Sequence, residues 1–263
     1  MSRLPPATLL LGAALSTQCK SQPPQAGEAS QTVQVAAASD LALAFEELGR
    51  LFEARTGRKV TFSFAASGAL AKQLSQGAPF DLFAAANTSF VDQAVQAGAC
   101  DGESKARYGR GLLMVWSKTG GVKISALEQL KRNEVRHIAI ANPEHAPYGK
   151  AARDALTKAG LWPELEGKIV HAENVRQALQ FAQTGNADVA IVALSLVING
   201  STGQRFAVDT SLHQPLDQML VVCTRGHNAA GGRAFAELVA SAEGQGLLAR
   251  YGLVDGSNEQ VGQ

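Results

Sequence analysis

Two serines stand where a predicted strand ends and a predicted helix begins, a position that suits an anion site. Ser39 follows the predicted strand 33–38, and Ser67 follows the predicted strand 60–64. The start of a helix exposes backbone N–H groups without partners and the positive end of the helix dipole, and a serine adds a neutral hydroxyl donor. Taken singly, each serine is explained more simply as a helix N-cap, a role worth about 1 kcal/mol.

Two later segments introduce helices in the same way. Residues 142–149 read Asn-Pro-Glu-His-Ala-Pro-Tyr-Gly and would present the N–H of Tyr148, while residues 173–176 read Glu-Asn-Val-Arg and would present the N–H of Val175. The ordinary interpretations are that Tyr148 is a packing aromatic and Pro147 a typical first residue of a helix. His145 stands without further ligands and makes no metal site.

Strands and helices alternate from residue 32 onward, which favours an α/β fold with parallel strands. The first unit has predicted strands at 33–38, 60–64 and 81–86, and the second has them at 137–141, 169–171 and 189–192. The predicted strand 219–224 and the helical segment 234–249 are too short to fold alone and must return to the first unit. Hydrophobic residues recur at helical spacing between the strands.

This order predicts two lobes, the second inserted in the first, joined by crossing strands at 112–116 and 220–223. We assign residues 32–111 and 221–263 to lobe I and residues 112–220 to lobe II. Open α/β sheets bind ligands at the carboxyl ends of their strands, and both lobes would present those ends to one cleft. Two such lobes across a hinge are the geometry of proteins that close on a ligand.

The N-terminus has the features of an export signal. Arg3 precedes the apolar residues 9–15, which are too few to span a bilayer as a lasting helix. We predict an export signal at residues 1–19 and a flexible polar linker at 20–31. Cys19 resembles the lipid-modified cysteine of bacterial lipoproteins, although Gln18 departs from the small residue usual before it; ordinary cleavage nearby is the alternative.

Composition excludes some classes of function. The formal net charge of the 263 residues is +1, and 18% of them are charged, so no electrostatic footprint points to nucleic acid or a membrane surface. The spacing of Cys100 and Cys223 is not typical of a disulfide framework, and Cys223 lies in an apolar strand pattern. We therefore expect these two cysteines to be unpaired.

The motifs resemble those of the periplasmic molybdate-binding proteins, from about residue 32 to residue 252. The resemblance rests on Ala-Ala-Ala-Ser at 36–39, Phe-Ala-Ala-Ser at 64–67, Gly-Ala-Pro-Phe-Asp-Leu-Phe at 77–83 and the segments 142–149 and 173–176. It implies a type II binding-protein fold, no cofactor, a monomer, and delivery of molybdate to the permease of an ABC importer. It places the protein in the periplasm or on the outer face of a membrane, with membrane contact only through a lipid on Cys19.

The resemblance also implies a dry site where only neutral donors hold molybdenum, bound as its oxyanion. Carried over by position, the donors are the hydroxyl and N–H of Ser39 and Ser67 and the N–H groups of Tyr148 and Val175. Many relatives have a tyrosine where this chain has Ala193. We expect Tyr148 to act through its backbone, with its phenol at most a lid; the competing hypothesis is that this phenol replaces the missing tyrosine.

Asp40 is our candidate for an additional oxyanion contact, through its N–H or its side-chain neighbourhood, because a charged carboxylate would repel a dianion. Tungstate is so similar to molybdate that the sequence does not separate them. Sulfate and phosphate remain alternatives, and phosphate would need an acceptor for its proton.

Two other classes are less favoured. An exported serine hydrolase would use Ser39 or Ser67 with a histidine, but the chain has no Gly-x-Ser-x-Gly elbow. The histidines available to it are His137, His145, His171, His213 and His227. A ligand-sensing transcription regulator would need a helix-turn-helix where the export segment stands.

Overall fold

The computed structural model describes residue 1, residues 32–199 and residues 202–253. The predicted export signal beyond Met1, its Cys19 and the predicted linker 20–31 lie outside the described residues. The described chain forms two α/β lobes, each built on a five-stranded sheet of parallel and antiparallel pairs. This is the predicted two-lobed type II architecture. Within the described residues, no helix is long and apolar enough to cross a membrane.

The first sheet contains β1 (Val33–Ala38), β2 (Val60–Ala65), β3 (Leu82–Ala85), β4 (Ala106–Gly111) and β10 (Leu216–Val222). Its order is β2-β1-β3-β10-β4, with β1 parallel to β2 and β3, and β10 antiparallel to β3 and β4. The helices of this lobe are α1 (Ala42–Thr56), α2 (Ser67–Ser75), α3 (Thr88–Gln96), α8 (Ala229–Ala240) and α9 (Ala242–Arg250).

The second sheet contains β5 (Leu113–Lys118), β6 (Ile138–Ala141), β7 (Ile169–Ala172), β8 (Val189–Ala193) and β9 (Gly203–Ala207). Its order is β7-β6-β8-β5-β9, with β6 parallel to β7 and β8, and β5 antiparallel to β8 and β9. The helices of this lobe are α4 (Pro147–Lys158), α5 (Trp162–Leu165), α6 (Val175–Thr184) and α7 (Leu194–Val197).

The central strands are apolar because helices cover both faces of each sheet. β3, β6 and β8 are buried at every position, as expected for strands with no face in water. In the first lobe, Phe45 and Phe52 of α1 pack edge-on against Phe235 of α8, with ring centroids 5.8 and 5.5 Å apart. This packing holds α1 in place and so positions the turn before it, which carries Ser39.

The chain passes between the two sheets twice. It passes directly from β4 in the first sheet to β5 in the second through Leu112, and it returns between β9 and β10. β10 pairs with β4 from Leu216 onward, so residues 216–220 belong to the first sheet, although the sequence assigned them to lobe II. The sequence pattern missed this because 216–218 include two polar residues.

The expectation that Cys100 and Cys223 are unpaired was wrong. The structure joins them in a disulfide that links the segment after α3 to the residue following β10. An isolated antiparallel bridge sets the two residues opposite each other, across 123 positions of sequence. Such a long-range contact depends on how β10 enters the first sheet, and nothing in the local spacing of the cysteines reveals it.

Candidate functional site

A small cavity lies between the lobes, where the carboxyl ends of strands from both sheets meet. The empty space within it, including space open to solvent, is about 190 Å³. The lining residues come from four strand-to-helix segments and one strand end: Ala38, Ser39, Asp40, Ala65, Ala66, Ser67, Ala86, Ala146, Pro147, Tyr148 and Val175. The structure thus brings together every residue that the sequence singled out for the site.

The two serines occupy equivalent positions in the first lobe, but neither is an N-cap. The N-cap residues of their turns are Ala38 and Ala66, so Ser39 and Ser67 are first residues of the helical segments and their side chains are free of that role. Ser67 Oγ accepts a hydrogen bond from the Ala86 N–H at 3.1 Å. Because that bond uses a lone pair, the Ser67 O–H remains able to donate to a ligand.

The second lobe supplies donors from the helix starts of α4 and α6. Tyr148 is the second residue of α4, after Pro147, and Val175 is the first residue of α6. The N-cap Asn174 accepts a hydrogen bond from the Gln177 N–H at 3.0 Å, which leaves the Val175 N–H without an intrahelical partner. Both N–H groups therefore remain available at the positive ends of helices that begin at the cavity.

The lobes are closed over the cavity by direct hydrogen bonds between them. The Gly68 N–H of α2 donates to the His145 carbonyl at 2.9 Å, and Ser195 Oγ of α7 donates to the Asp40 carbonyl at 2.7 Å. A side chain at Gly68 would lie 2.9 Å from that carbonyl and 2.8 Å from the Phe90 ring, so glycine allows the close approach. The four donor residues are consequently at most 3% exposed.

Asp40 contributes the cavity's one ionisable carboxyl group. Its side chain is buried, and Oδ2 accepts a hydrogen bond from Gln218 Nε2 at 2.9 Å, whereas Oδ1 has no partner among the described residues. Burial away from water raises the pKa of Asp40 from 3.8 to about 7, although hydrogen bonds from its own backbone, Tyr148 and Gln218 act in the opposite direction. The carboxyl group is therefore far more easily neutralised than an exposed aspartate.

The electrostatics of the cavity come from dipoles, not from cations. No lysine, arginine or histidine is among the residues that line it. Fixed N–H and O–H donors at helix starts can hold an anion without any counter-charge. The residues described also contain no group of three or more His, Cys, Asp or Glu side chains that could hold a metal ion.

Several residues near the cavity were not predicted from the sequence. Gln218, Tyr108 and Gly111 surround the Asp40 carboxyl and the Tyr148 phenol, and Ser195 supplies an interlobe hydrogen bond. The one available signal was Gln218, a polar residue in the otherwise apolar run that becomes β10. Ala193, by contrast, is buried at the end of β8 and is not among the lining residues.

Comparisons with known proteins show the family to which the chain belongs. Residues 33–254 match the family described as bacterial extracellular solute-binding protein. A molybdate-binding protein of Rhodobacter capsulatus is 34% identical over 232 residues, covering 88% of this chain and 90% of the relative. A molybdate-binding protein of Azotobacter vinelandii is 33% identical over 223 residues, covering 84% and 88%.

A solved structure supports the same grouping. The periplasmic molybdate-binding protein of Azotobacter vinelandii superposes with a TM-score of 0.80 at 29% identity, covering 84% of this chain and 98% of that protein. Solute-binding proteins capture ligands and are not enzymes as a family, so the hydrolase alternative is not favoured. The chain belongs to the bacterial extracellular solute-binding proteins, in the group that includes the periplasmic molybdate-binding proteins.

Proposed function

We propose that this protein captures molybdate between its lobes and delivers it to the membrane permease of an ABC importer. The observation that carries the proposal is the convergence of neutral donors from both lobes on one small, closed cavity. The donors are the hydroxyl and N–H of Ser39 and of Ser67 and the N–H groups of Tyr148 and Val175. Molybdenum is bound only as the oxyanion, through these groups, and no cofactor takes part.

The donor set is strong enough for tight binding. Hydrogen bonds to a charged group contribute roughly 1.5–3 kcal/mol each, so six donors exceed the approximately 8 kcal/mol that corresponds to micromolar affinity, before the costs of association are subtracted. The burial of Ser39 and Ser67 excludes water that would otherwise compete for the anion. Sub-micromolar affinity is therefore expected.

Selectivity follows from the rigidity of the donors. Each N–H is fixed by the helix it begins, so an anion with shorter bonds, such as sulfate, cannot reach all the donors at once. Tungstate has nearly the size and charge of molybdate and should bind similarly. Hydrogen phosphate is the second candidate, since the buried Asp40 Oδ1, which has no partner among the described residues, could accept a hydrogen bond from its O–H.

We infer that the protein acts outside the cytoplasmic membrane, in the periplasm or on the outer face of the membrane, as an export signal at 1–19 would require. A lipid on Cys19 would be the protein's only attachment to the membrane. The flexible linker 20–31 would then allow the tethered lobes to contact the permease. The protein would work as a monomer, because one chain supplies donors from both sides of the cavity.

Calorimetric titration of the purified ligand-free protein with molybdate, tungstate, sulfate and phosphate tests the proposal. We expect one site per chain, sub-micromolar affinity for molybdate and tungstate, and at least a hundredfold weaker binding of sulfate and phosphate. Tight phosphate binding with weak molybdate binding would transfer the function to the second candidate. No binding of any of the four anions would refute oxyanion capture.

A further inference from the structure

The phenol of Tyr148 does not point its hydroxyl at bulk water but inserts it into a buried polar pocket of the first lobe. We call this pocket the phenol socket and define it by Asp40, Tyr108, Gly111 and Gln218. Gln218 Nε2 donates to Tyr148 Oη at 3.4 Å and to Asp40 Oδ2 at 2.9 Å. Tyr148 is 2% exposed and Gln218 is fully buried, so these contacts form away from solvent.

The socket is built by an irregularity in the first sheet. The register of β4 against β10 shifts between Gln218 and Met219, so that Gly109 and Arg107 oppose consecutive residues and Tyr108 is the extra residue of a bulge. Tyr108 Oη donates to Gln218 Oε1 at 3.0 Å. That hydrogen bond orients the amide, so its N–H groups face Asp40 and Tyr148.

Gly111 leaves the space into which the phenol enters. A Cβ added at this position would overlap the Tyr148 hydroxyl and would lie 3.0 Å from both Tyr148 Cζ and Gln218 Nε2. Gly111 is not among the residues with positive φ, so alanine meets no backbone strain there. The absence of a side chain at Gly111 thus serves the contact between lobes and not the conformation of β4.

The socket lies wholly in the first lobe, on β4, β10 and the turn after β1, whereas Tyr148 lies on α4 in the second lobe. Opening the cleft must therefore withdraw the phenol from Gln218 and Asp40. Tyr148 also lines the cavity, near the start of α4, so insertion of its phenol and placement of its N–H at the cavity occur together.

We propose that the Tyr148 phenol is a latch that holds the lobes closed over the ligand, with Gly111 and Gln218 as the positioning residues that receive it. The proposal rests on the proposed function for the identity of the ligand. Tyr148 then has two roles: its N–H binds the oxyanion and its phenol slows reopening. From the sequence we expected Tyr148→Phe, which removes the hydroxyl, to leave molybdate affinity almost unchanged. Because the phenol socket holds that hydroxyl, we now expect a two- to tenfold loss of affinity, as for one net hydrogen bond of about 0.5–1.5 kcal/mol.

The experiment compares Gly111→Ala, Tyr148→Phe and the double variant with wild type, and Gly246→Ala serves as the matched control. Gly246 is exposed in α9, and a Cβ there meets nothing within 4 Å. Molybdate affinity, association and dissociation rates, and the radius of gyration by small-angle scattering are measured for each protein. Gly111→Ala should weaken binding at least tenfold, mainly through faster dissociation, while Gly246→Ala stays within twofold of wild type.

The double variant distinguishes loss of the latch from a general disturbance of the fold by Gly111→Ala. Tyr148→Phe removes the atom that the alanine methyl would overlap, so the double variant should bind more tightly than Gly111→Ala alone and approach Tyr148→Phe. Wild-type affinity in Gly111→Ala would overturn the latch, and so would a double variant no tighter than Gly111→Ala. The second result would indicate that the phenol is a direct ligand or that the alanine disturbs β4.

Failure of the latch and failure of the proposed function give different results. If wild type binds molybdate and Gly111→Ala binds equally well, the latch fails and the function stands. If wild type binds none of the four anions, the function fails, and the latch is judged by scattering without ligand. In that case Gly111→Ala must be more extended than wild type, with the double variant between them, or the latch fails as well.

Discussion

Replacing Asp40 with asparagine should change how both stability and oxyanion affinity depend on pH. Asparagine is close in shape to a protonated aspartate, and its side-chain oxygen can still accept the hydrogen bond from Gln218. The groups that face Asp40 and titrate are the phenols of Tyr148 and Tyr108, whose pKa values burial raises well above 10. Both phenols therefore stay neutral, and Asp40 is the group that changes charge near pH 7.

The effect on stability follows from the pKa of Asp40, which rises from 3.8 to about 7 on folding. The folded protein holds a proton that the unfolded chain has released, so Asp40's contribution to stability is fully present below pH 3.8 and is lost as the pH rises to about 7. A tenfold change in an acid dissociation constant corresponds to about 1.4 kcal/mol, so the loss is on the order of 4 kcal/mol at alkaline pH. Asp40→Asn should remove this loss and be the more stable protein above pH 7.

The effect on binding has the same origin. A dianion in the cavity favours the protonated form of Asp40, so binding above about pH 7 requires uptake of a proton and wild-type affinity should fall by up to tenfold per pH unit. Asp40→Asn has no proton to take up, and its molybdate affinity should stay flat from about pH 6 to about pH 9.

The assays are calorimetric titration in buffers of different ionisation enthalpy, which counts the protons taken up, and urea unfolding across the same pH range. Asp92→Asn is the control, because Asp92 forms an exposed ion pair with Lys105 at 2.8 Å, remote from the cavity. Equal pH slopes for wild type and Asp40→Asn would refute the reasoning. So would an Asp40→Asn protein that is no more stable than wild type above pH 8.

Three further outcomes are expected. Ser39→Ala and Ser67→Ala should each weaken molybdate binding by about 1.5–3 kcal/mol, or roughly ten- to a hundredfold. The control Ser75→Ala, at the exposed end of α2, should leave molybdate affinity unchanged. Wild-type affinity in both cavity variants would mean that the anion binds elsewhere. Molybdate should reduce the radius of gyration of the wild-type protein in solution, and an unchanged value would argue against closure. Replacing both Cys100 and Cys223 with serine should lower the free energy of unfolding by about 2–5 kcal/mol without changing molybdate affinity. Equal stability of wild type and this double variant in urea would contradict a structural role for the disulfide.

The α/β organisation could be predicted because local patterns carry it. The strands β1, β3 and β6 are short apolar runs, and the structure has each of them within two residues of the predicted bounds. The boundaries between the lobes were harder to predict from the sequence. β10 begins at Leu216 because it pairs with β4, and no local pattern of residues 216–218 contains that information.

Some residues of the candidate site could likewise be predicted from the sequence, and others could not. Ser39, Ser67, Tyr148 and Val175 were singled out because each stands at a strand-to-helix turn, and a helix start exposes donors wherever it occurs. Gly111 and Gln218 carried no comparable motif, since their importance lies in what the other lobe places against them. The disulfide partner of Cys100 was hidden because Cys100 and Cys223 are 123 positions apart and are brought together only by the folding of the first lobe.

The sequence by itself determined which residues could donate to an anion, because turn chemistry and helix starts depend on a few neighbouring residues. Only the tertiary structure decided that these donors share one closed cavity, that Asp40 is buried beside it, and that the Tyr148 phenol enters a socket in the opposite lobe. The physical reason is that burial, pKa and interlobe contacts depend on residues far apart in the sequence. Asp40 and Gln218 are 178 positions apart and meet only when the first lobe is folded, and the Tyr148 phenol reaches them only when the second lobe closes on the first.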